Sequence, residues 1–130
     1  PTQVDTDQTP DNPCMTLDKL DYALRDQTET AYVLYKDQIK LGNIEKAYPL
    51  WRKAYYNAPA ANGSIKYQCE DGIAIYKHFY SNSEDLQLKQ TFVDTVMQIY
   101  DKRVECFGEP AYIKGRKAFD YYYYFQAESD

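Results

Sequence analysis

The sequence predicts an all-α protein of about five principal helices, and three observations carry that prediction. Apolar residues recur every three or four positions from Ile44 to Tyr55 and again from Ile65 to Tyr80. A longer stripe of the same kind runs from Leu88 to Phe107. Such stripes are typical of helices buried on one face. Glycine, serine, asparagine and proline stand between the stripes, where the chain has to turn.

The first predicted turn lies at Gly42 and Asn43. Glycine takes the left-handed conformation that ends a helix at little cost, and asparagine can accept the first free backbone N–H groups of the next helix. Pro59 marks the end of that second helix, because the residue before a proline is pushed out of helical geometry. We therefore expect a tight helical hairpin that ends near residue 59.

The second helix of this hairpin has a small-large-small pattern, with Ala47 and Ala54 on either side of Trp51. The alanines let a neighbouring helix approach, and the indole fills the space between them. Pro49 lies inside the same helix and removes one of its hydrogen bonds, so we expect a kink there.

The next two helices are bounded by polar residues. Residues 62–64, with the sequence Asn-Gly-Ser, form a linker and cap before the stripe that ends at Tyr80. We expect Ser83 to cap a long helix from about Glu84 to Phe107. Gly108 should stop that helix.

The last predicted helix runs from Pro110, which suits a first helical turn, to about Ala127. Gly115 follows Gly72 at an interval that suggests equivalent positions, where a small residue permits close helix packing. Residues 121–125 place aromatic side chains all round the helix, which is hard to solvate on every side. Either this helix docks as a cap, or the chain continues and supplies the missing cover.

The stretch from Gly42 to Pro59 resembles the second helix of a tetratricopeptide repeat (TPR). The resemblance rests on Gly42, Asn43, Ala47, Trp51, Ala54 and Pro59; in the preceding helix Leu34 agrees, whereas Ala31, Tyr35 and Gln38 depart from the pattern. Counting back from Pro59 gives one unit of the usual TPR length at 28–61, followed by a longer unit at 62–108 and a partial one at 109–130. The resemblance implies a right-handed solenoid segment built of α–α hairpins.

A narrower resemblance spans about residues 13–123. Its motifs, Trp51-Arg52, Ala58-Pro59, Ile75-Tyr76, the run from Ile99 to Arg103, Phe107-Gly108 and the run from Gly115 to Lys117, are similar to the N-terminal region of cell-envelope TPR proteins of the Bacteroidetes group. This resemblance implies an exported, periplasmic or outer-membrane-associated interaction module with no catalytic chemistry. A chain that starts at Pro1 fits removal of a signal peptide. A cytoplasmic location stays open.

Composition limits the partners that the protein can have. Residues 1–30 carry seven acids against two bases, and residues 31–130 are neutral. We expect residues 1–13 to form a flexible acidic leader and residues 14–130 to form the helical domain. An acidic chain disfavours nucleic acid as a partner, because phosphate binding needs a basic face. The sequence contains no run of 18 apolar residues, so it predicts no membrane-spanning helix.

Three cysteines are too few and too widely spaced for a paired-cysteine zinc site, and the sequence predicts neither a metal nor a cofactor. In an exported protein, Cys14 and Cys69 could form a disulfide and leave one odd thiol. The alternative is three free thiols, with Cys69 and Cys106 packed as small hydrophobic residues.

The sequence gives no enzyme signature. His78 is the single histidine, and no nucleophile elbow, metal-binding histidine pair or phosphate loop accompanies it. The adjacent carboxylates at 70–71 and 84–85 diverge on a helix, so solvated helix faces explain them better than a glycosidase pair.

We therefore predict a non-enzymatic scaffold that binds a peptide segment of a partner protein through a concave groove. The groove is expected to be aromatic with an excess of positive charge, which suits an acidic partner. Its expected residues are Tyr32, Lys36, Lys40, Lys66, Tyr76, Lys77, Tyr112, Arg116, Phe119 and Asp120. A glycan-binding module, a structural segment of a larger solenoid or homodimer, and a groove occupied by the acidic leader are the alternatives.

Overall fold

The computed structural model describes residues 12–63 and 67–125, and within these ranges the chain is helical, with one isolated β-bridge. The described residues form five α-helices, which are α1 (Tyr22–Lys40), α2 (Ile44–Asn57), α3 (Tyr67–Ser81), α4 (Leu86–Phe107) and α5 (Pro110–Phe119). A 3₁₀ turn at Leu17–Lys19 precedes α1, and a π-helix at Asp120–Phe125 continues α5. The predicted all-helical class is thus confirmed. None of the described helices combines the length and the apolarity that crossing a membrane would require.

The chain divides into two compact units, Pro1–Gln68 and Cys69–Asp130, which we call unit 1 and unit 2. Unit 1 contains the α1–α2 hairpin and the N-terminal end of α3. Unit 2 contains the rest of α3 together with α4, α5 and the π-helix. The predicted acidic leader lies almost wholly in residues 1–11, outside the described residues.

The α1–α2 hairpin of unit 1 turns where the sequence predicts. Gly42 has a φ of +80°, the left-handed conformation that ends α1. Asn43 precedes α2, but its side chain accepts no capping hydrogen bond. Its amide nitrogen instead donates to Gln38 Oε1 at 3.0 Å, so Asn43 joins the end of α1 to the turn. The predicted capping position is therefore confirmed, whereas the predicted side-chain hydrogen bond is wrong.

Trp51 is fully buried and is the centre of unit 1. Its indole stacks on the ring of Tyr55, with the centroids 4.7 Å apart, and its Nε1 donates to the backbone oxygen of Gln68 at 2.8 Å. Ala47 and Ala54 are also buried, as the small-large-small pattern predicts. Helix α2 runs without interruption through Pro49. The kink there stays a prediction.

The segment before α1 packs against the segment after α2. The backbone N–H of Leu17 donates to Ala61 O at 2.8 Å, and that of Ala60 donates to Met15 O at 3.1 Å. Met15, Leu20 and Ala58 are buried together beneath this contact. The two ends of the hairpin are thereby fixed to each other within unit 1.

The boundaries of α4 differ from the predicted ones by a short shift. Asp85, and not Ser83, caps the helix, because its carboxylate accepts from Gln87 N and Leu88 N at 3.0 and 3.1 Å. Gly108 stops the helix with a φ of +79°, and Pro110 is the first residue of α5. Both of these predictions are confirmed.

The last described segment, residues 110–125, is helical but is not one regular α-helix. After Phe119 the backbone continues as a π-helix. Asp120 and Phe125 are buried, and the hydroxyl of Tyr80 donates to the backbone oxygen of Phe125 at 2.8 Å. The aromatic terminal segment is thus docked inside unit 2 through its two ends.

Gly115 does not serve the close packing that the sequence predicts. A Cβ placed on it would meet no atom within 4 Å, so no neighbouring helix requires a glycine there. The glycine of α5 that looks like a repeat position is an exposed helical residue.

We expect Gly115→Ala to stabilise the protein by about 0.5–1 kcal/mol, because alanine restricts the unfolded chain and favours a helix interior. Gly108→Ala is the matched opposite, since a side chain at φ +79° is strained, and it should destabilise the protein. Urea unfolding followed by circular dichroism measures both changes. Destabilisation by Gly115→Ala would contradict the open environment of that residue.

Candidate functional site

A buried ionic network organises unit 2. Arg103 is only 2% exposed. Its Nη2 donates to Glu109 Oε1 at 2.6 Å, its Nη1 donates to Gly108 O at 3.2 Å, and its Nε lies 3.7 Å from a carboxylate oxygen of Glu70. A charge taken out of water is tolerated only when it is paired. Glu109 meets this requirement from a left-handed backbone with a φ of +62°.

Glu70 also joins α3 to α5. Both guanidinium nitrogens Nη1 and Nη2 of Arg116 donate to the Glu70 carboxylate at 2.7 Å. These hydrogen bonds raise the pKa of Arg116 above its ordinary value. The guanidinium also lies 5.3 Å from the centroid of the Tyr100 ring. This two-pronged geometry is one that lysine cannot reproduce.

Asp120 receives two donors inside unit 2. The hydroxyl of Tyr100 donates to Oδ2, and the ammonium of Lys77 donates to Oδ1 at 3.0 Å. Burial, together with the hydrogen bond to Asp120, raises the pKa of Tyr100, which keeps its proton available for donation. Lys77 also lies 4.7 Å from the centroid of the Tyr124 ring. The first residue of the π-helix is thereby anchored.

These contacts change the picture of the predicted groove. The charged groups of Lys77, Arg116 and Asp120 form ion pairs inside unit 2. Tyr76 is buried, with 6% of its surface exposed. Their helical spacing predicts an exposed cationic surface. In the structure, however, Lys77 pairs with Asp120 and Arg116 pairs with Glu70. These contacts stabilise unit 2, and a binding role for the four residues stays a prediction.

The expected groove residues of unit 1 lie on α1. Tyr32 and Lys36 are half-buried, and Lys40 is exposed in the last turn of the helix. The ring of Tyr32 meets the buried ring of Tyr35 edge-on at 5.4 Å. Lys66 lies outside the described residues.

Exposed rings cover α5 and the π-helix. Tyr112 and Phe119, both expected at the binding surface, are each 60% exposed. The structure adds three rings that the sequence-based list lacks, although the aromatic run at 121–125 signalled them. We define the terminal aromatic surface as Tyr112, Phe119, Tyr121, Tyr122 and Tyr123.

Two concavities lie between α4 and α5, and the larger one includes Tyr121 and Tyr122 of this surface. The larger, of about 400 Å³, is lined by Met97, Lys114, Lys117, Ala118, Tyr121 and Tyr122. The smaller, of about 180 Å³, is lined by Asp101, Val104, Pro110, Ile113, Lys114 and Lys117. Lys114 and Lys117 belong to both linings, so they stand between the two concavities.

The residues weighed for catalysis have other surroundings. Asn82 lies beside His78, with its Nδ2 3.5 Å from the imidazole Nδ1 and 2.8 Å from the His78 backbone oxygen. Glu70 belongs to the ionic network, and Asp85 caps α4.

Cys69 is fully buried, and it is the free cysteine of the described residues. The predicted Cys14–Cys69 disulfide is therefore wrong, and Cys69 is packed as a small hydrophobic residue instead. Burial raises the pKa of its thiol to about 12.

No family model matches this chain, and neither a curated protein nor a solved structure matches it at a significant level.

We expect Glu70→Gln to lower the free energy of unfolding by about 1–3 kcal/mol, because it removes the charge that pairs with Arg116 and lies beside buried Arg103. The matched control is Glu105→Gln, which removes a more exposed pair with Lys102 and should cost about 0.5 kcal/mol or less. Urea unfolding measures both. Equal effects of the two variants would contradict the network.

We expect native Cys69 to resist iodoacetamide at pH 8 in the absence of reductant. The raised pKa lowers its thiolate fraction about a thousandfold, and burial adds to this protection. Peptide mass spectrometry should find Cys69 alkylated only after denaturation in urea. Rapid labelling of the native protein would contradict both the burial and the raised pKa.

Proposed function

We propose that this chain is a non-enzymatic protein-interaction module that binds a peptide segment of a partner through unit 2. The observation that carries the proposal is the terminal aromatic surface, whose five rings are between 44% and 68% exposed. Soluble proteins seldom leave several large rings on one short segment without a use for them. Aromatic side chains are also the residues that contribute most at protein interfaces.

The rings are held in place by the contacts beneath them. Asp120 and Phe125 anchor the π-helix, and Arg116 fixes α5 through Glu70. The rings of Phe119 and Tyr123 touch, with centroids 5.2 Å apart, and those of Tyr121 and Tyr122 lie 5.1 Å apart. A rigid support reduces the entropy lost when a partner binds, which favours affinity.

We further propose that the helical hairpins belong to a TPR-like array. The α1–α2 hairpin, with Trp51 between Ala47 and Ala54, supports this proposal. The proposed location is the bacterial cell envelope, as the narrower resemblance implies.

Selection of a random twelve-residue phage-displayed peptide library on the immobilised protein tests the function. Peptides that are enriched should bind the protein in solution, as measured by fluorescence anisotropy. Replacing Tyr112, Phe119 and Tyr123 together by serine should weaken binding about tenfold or more, because exposed rings act as anchors.

The control variant replaces Tyr22 and Leu41 of unit 1 by serine, since these side chains are 78% and 70% exposed. It should keep the wild-type affinity, and both variants should keep the helical circular dichroism spectrum. An empty selection would contradict the proposal. Binding to a glycan array, or self-association lost with the three-ring variant, would show that the surface serves another purpose.

A further inference from the structure

We infer that the two concavities between α4 and α5 form one peptide site, selective for a carboxylate flanked by apolar side chains. This inference rests on the proposed function and names the chemistry of the partner. It differs from the groove expected from the sequence, because none of the nine predicted groove residues that the structure describes lines either concavity.

Each concavity offers an apolar floor. Val104, Pro110 and Ile113 contribute to the smaller one, and Met97 and Ala118 contribute to the larger one together with Tyr121 and Tyr122. Volumes of about 180 and 400 Å³ are large enough for an aliphatic side chain and for an aromatic one, respectively. An apolar side chain that fills either concavity removes apolar surface of both molecules from water.

Positively charged side chains lie where the two concavities meet. Helix α5 carries Lys114, Arg116 and Lys117 and no acidic residue. Arg116 is committed to Glu70, whereas the two lysines lie at the concavities. Lys117 donates to Asp101 at 2.7 Å, which offsets one of the two lysine charges. Lys114, which is exposed, supplies the surplus, so the rim carries a net positive charge that complements a carboxylate.

The partner is therefore an acidic peptide whose aspartate or glutamate has an apolar neighbour on each side. The charge sets orientation and selectivity, and the apolar side chains supply most of the affinity. The whole chain has a net charge of −5, so at long range it repels an acidic partner. The attraction therefore has to come from the local positive charge of this rim.

The experiment uses the enriched peptides with the full chain. Their sequences should contain aspartate or glutamate beside apolar residues, and replacing these acids by their amides should weaken binding about twofold to fivefold. Lys114→Gln combined with Lys117→Gln should weaken binding by a similar factor. Lys46→Gln combined with Lys53→Gln makes the same change of charge at exposed sites in unit 1 and should leave affinity unchanged.

A second variant separates the concavity from simple attraction of charges. Ala118→Lys adds a positive charge but fills the larger concavity, so it should weaken binding. Ala111→Lys adds the same charge on α5 outside both linings and should not weaken binding. Stronger binding by Ala118→Lys would overturn the inference, because it would show that charge alone attracts the peptide.

The remaining outcomes are also decisive. Peptides that lack acids, or whose affinity ignores Lys114 and Lys117 but needs the terminal aromatic surface, would overturn this inference and leave the proposed function intact. An empty selection would overturn both.

Discussion

The buried guanidinium of Arg103 is the constraint on which unit 2 depends. Its buried charge requires carboxylate partners. Glu70 on α3 precedes Arg103 in the sequence, and Glu109, directly before α5, follows it. Glu70 then also receives Arg116, so one carboxylate links three helices of the unit. Removing a partner would leave a buried charge uncompensated, which is among the most destabilising changes that a protein core can undergo.

The same network decides which charges remain at the surface of α5. Because Arg116 faces α3 and Asp120 receives Lys77 and Tyr100, the helix presents Lys114 and Lys117 on another side, at the concavities shared with α4. The aromatic rings follow the same division. Phe125 is buried, whereas Tyr122 and Tyr123 are exposed. Stability and the proposed binding surface thus use different faces of one terminal segment.

Periodicity and turn residues were sufficient for much of the fold. Gly42, Gly108 and Pro110 mark helix boundaries where local backbone preferences are decisive, and Trp51 is buried as its small neighbours indicate. Capping was less predictable, because Ser83 and Asp85 are equally good caps in isolation and geometry selects the aspartate.

The candidate site was harder to predict, since spacing along a helix does not reveal pairing across helices. Arg116 and Glu70 are far apart in the sequence, and nothing local in either helix reveals that they meet. The aromatic run at 121–125 indicated the exposed rings at 121–123. No pattern in the sequence indicated the π-helix, in which Phe125 is buried while these three rings are exposed.

That π-helix also limits how the terminal segment can vary. Its two anchors, Asp120 and Phe125, are five positions apart. In an α-helix such residues would point about 140° away from each other, whereas π-helical hydrogen bonding from i to i+5 brings them to one side. The number of residues between the anchors is therefore constrained more strictly than their identity. Substitution of the intervening exposed tyrosines can alter a binding surface at little structural cost, but the insertion or deletion of a single residue would rotate one anchor out of the core.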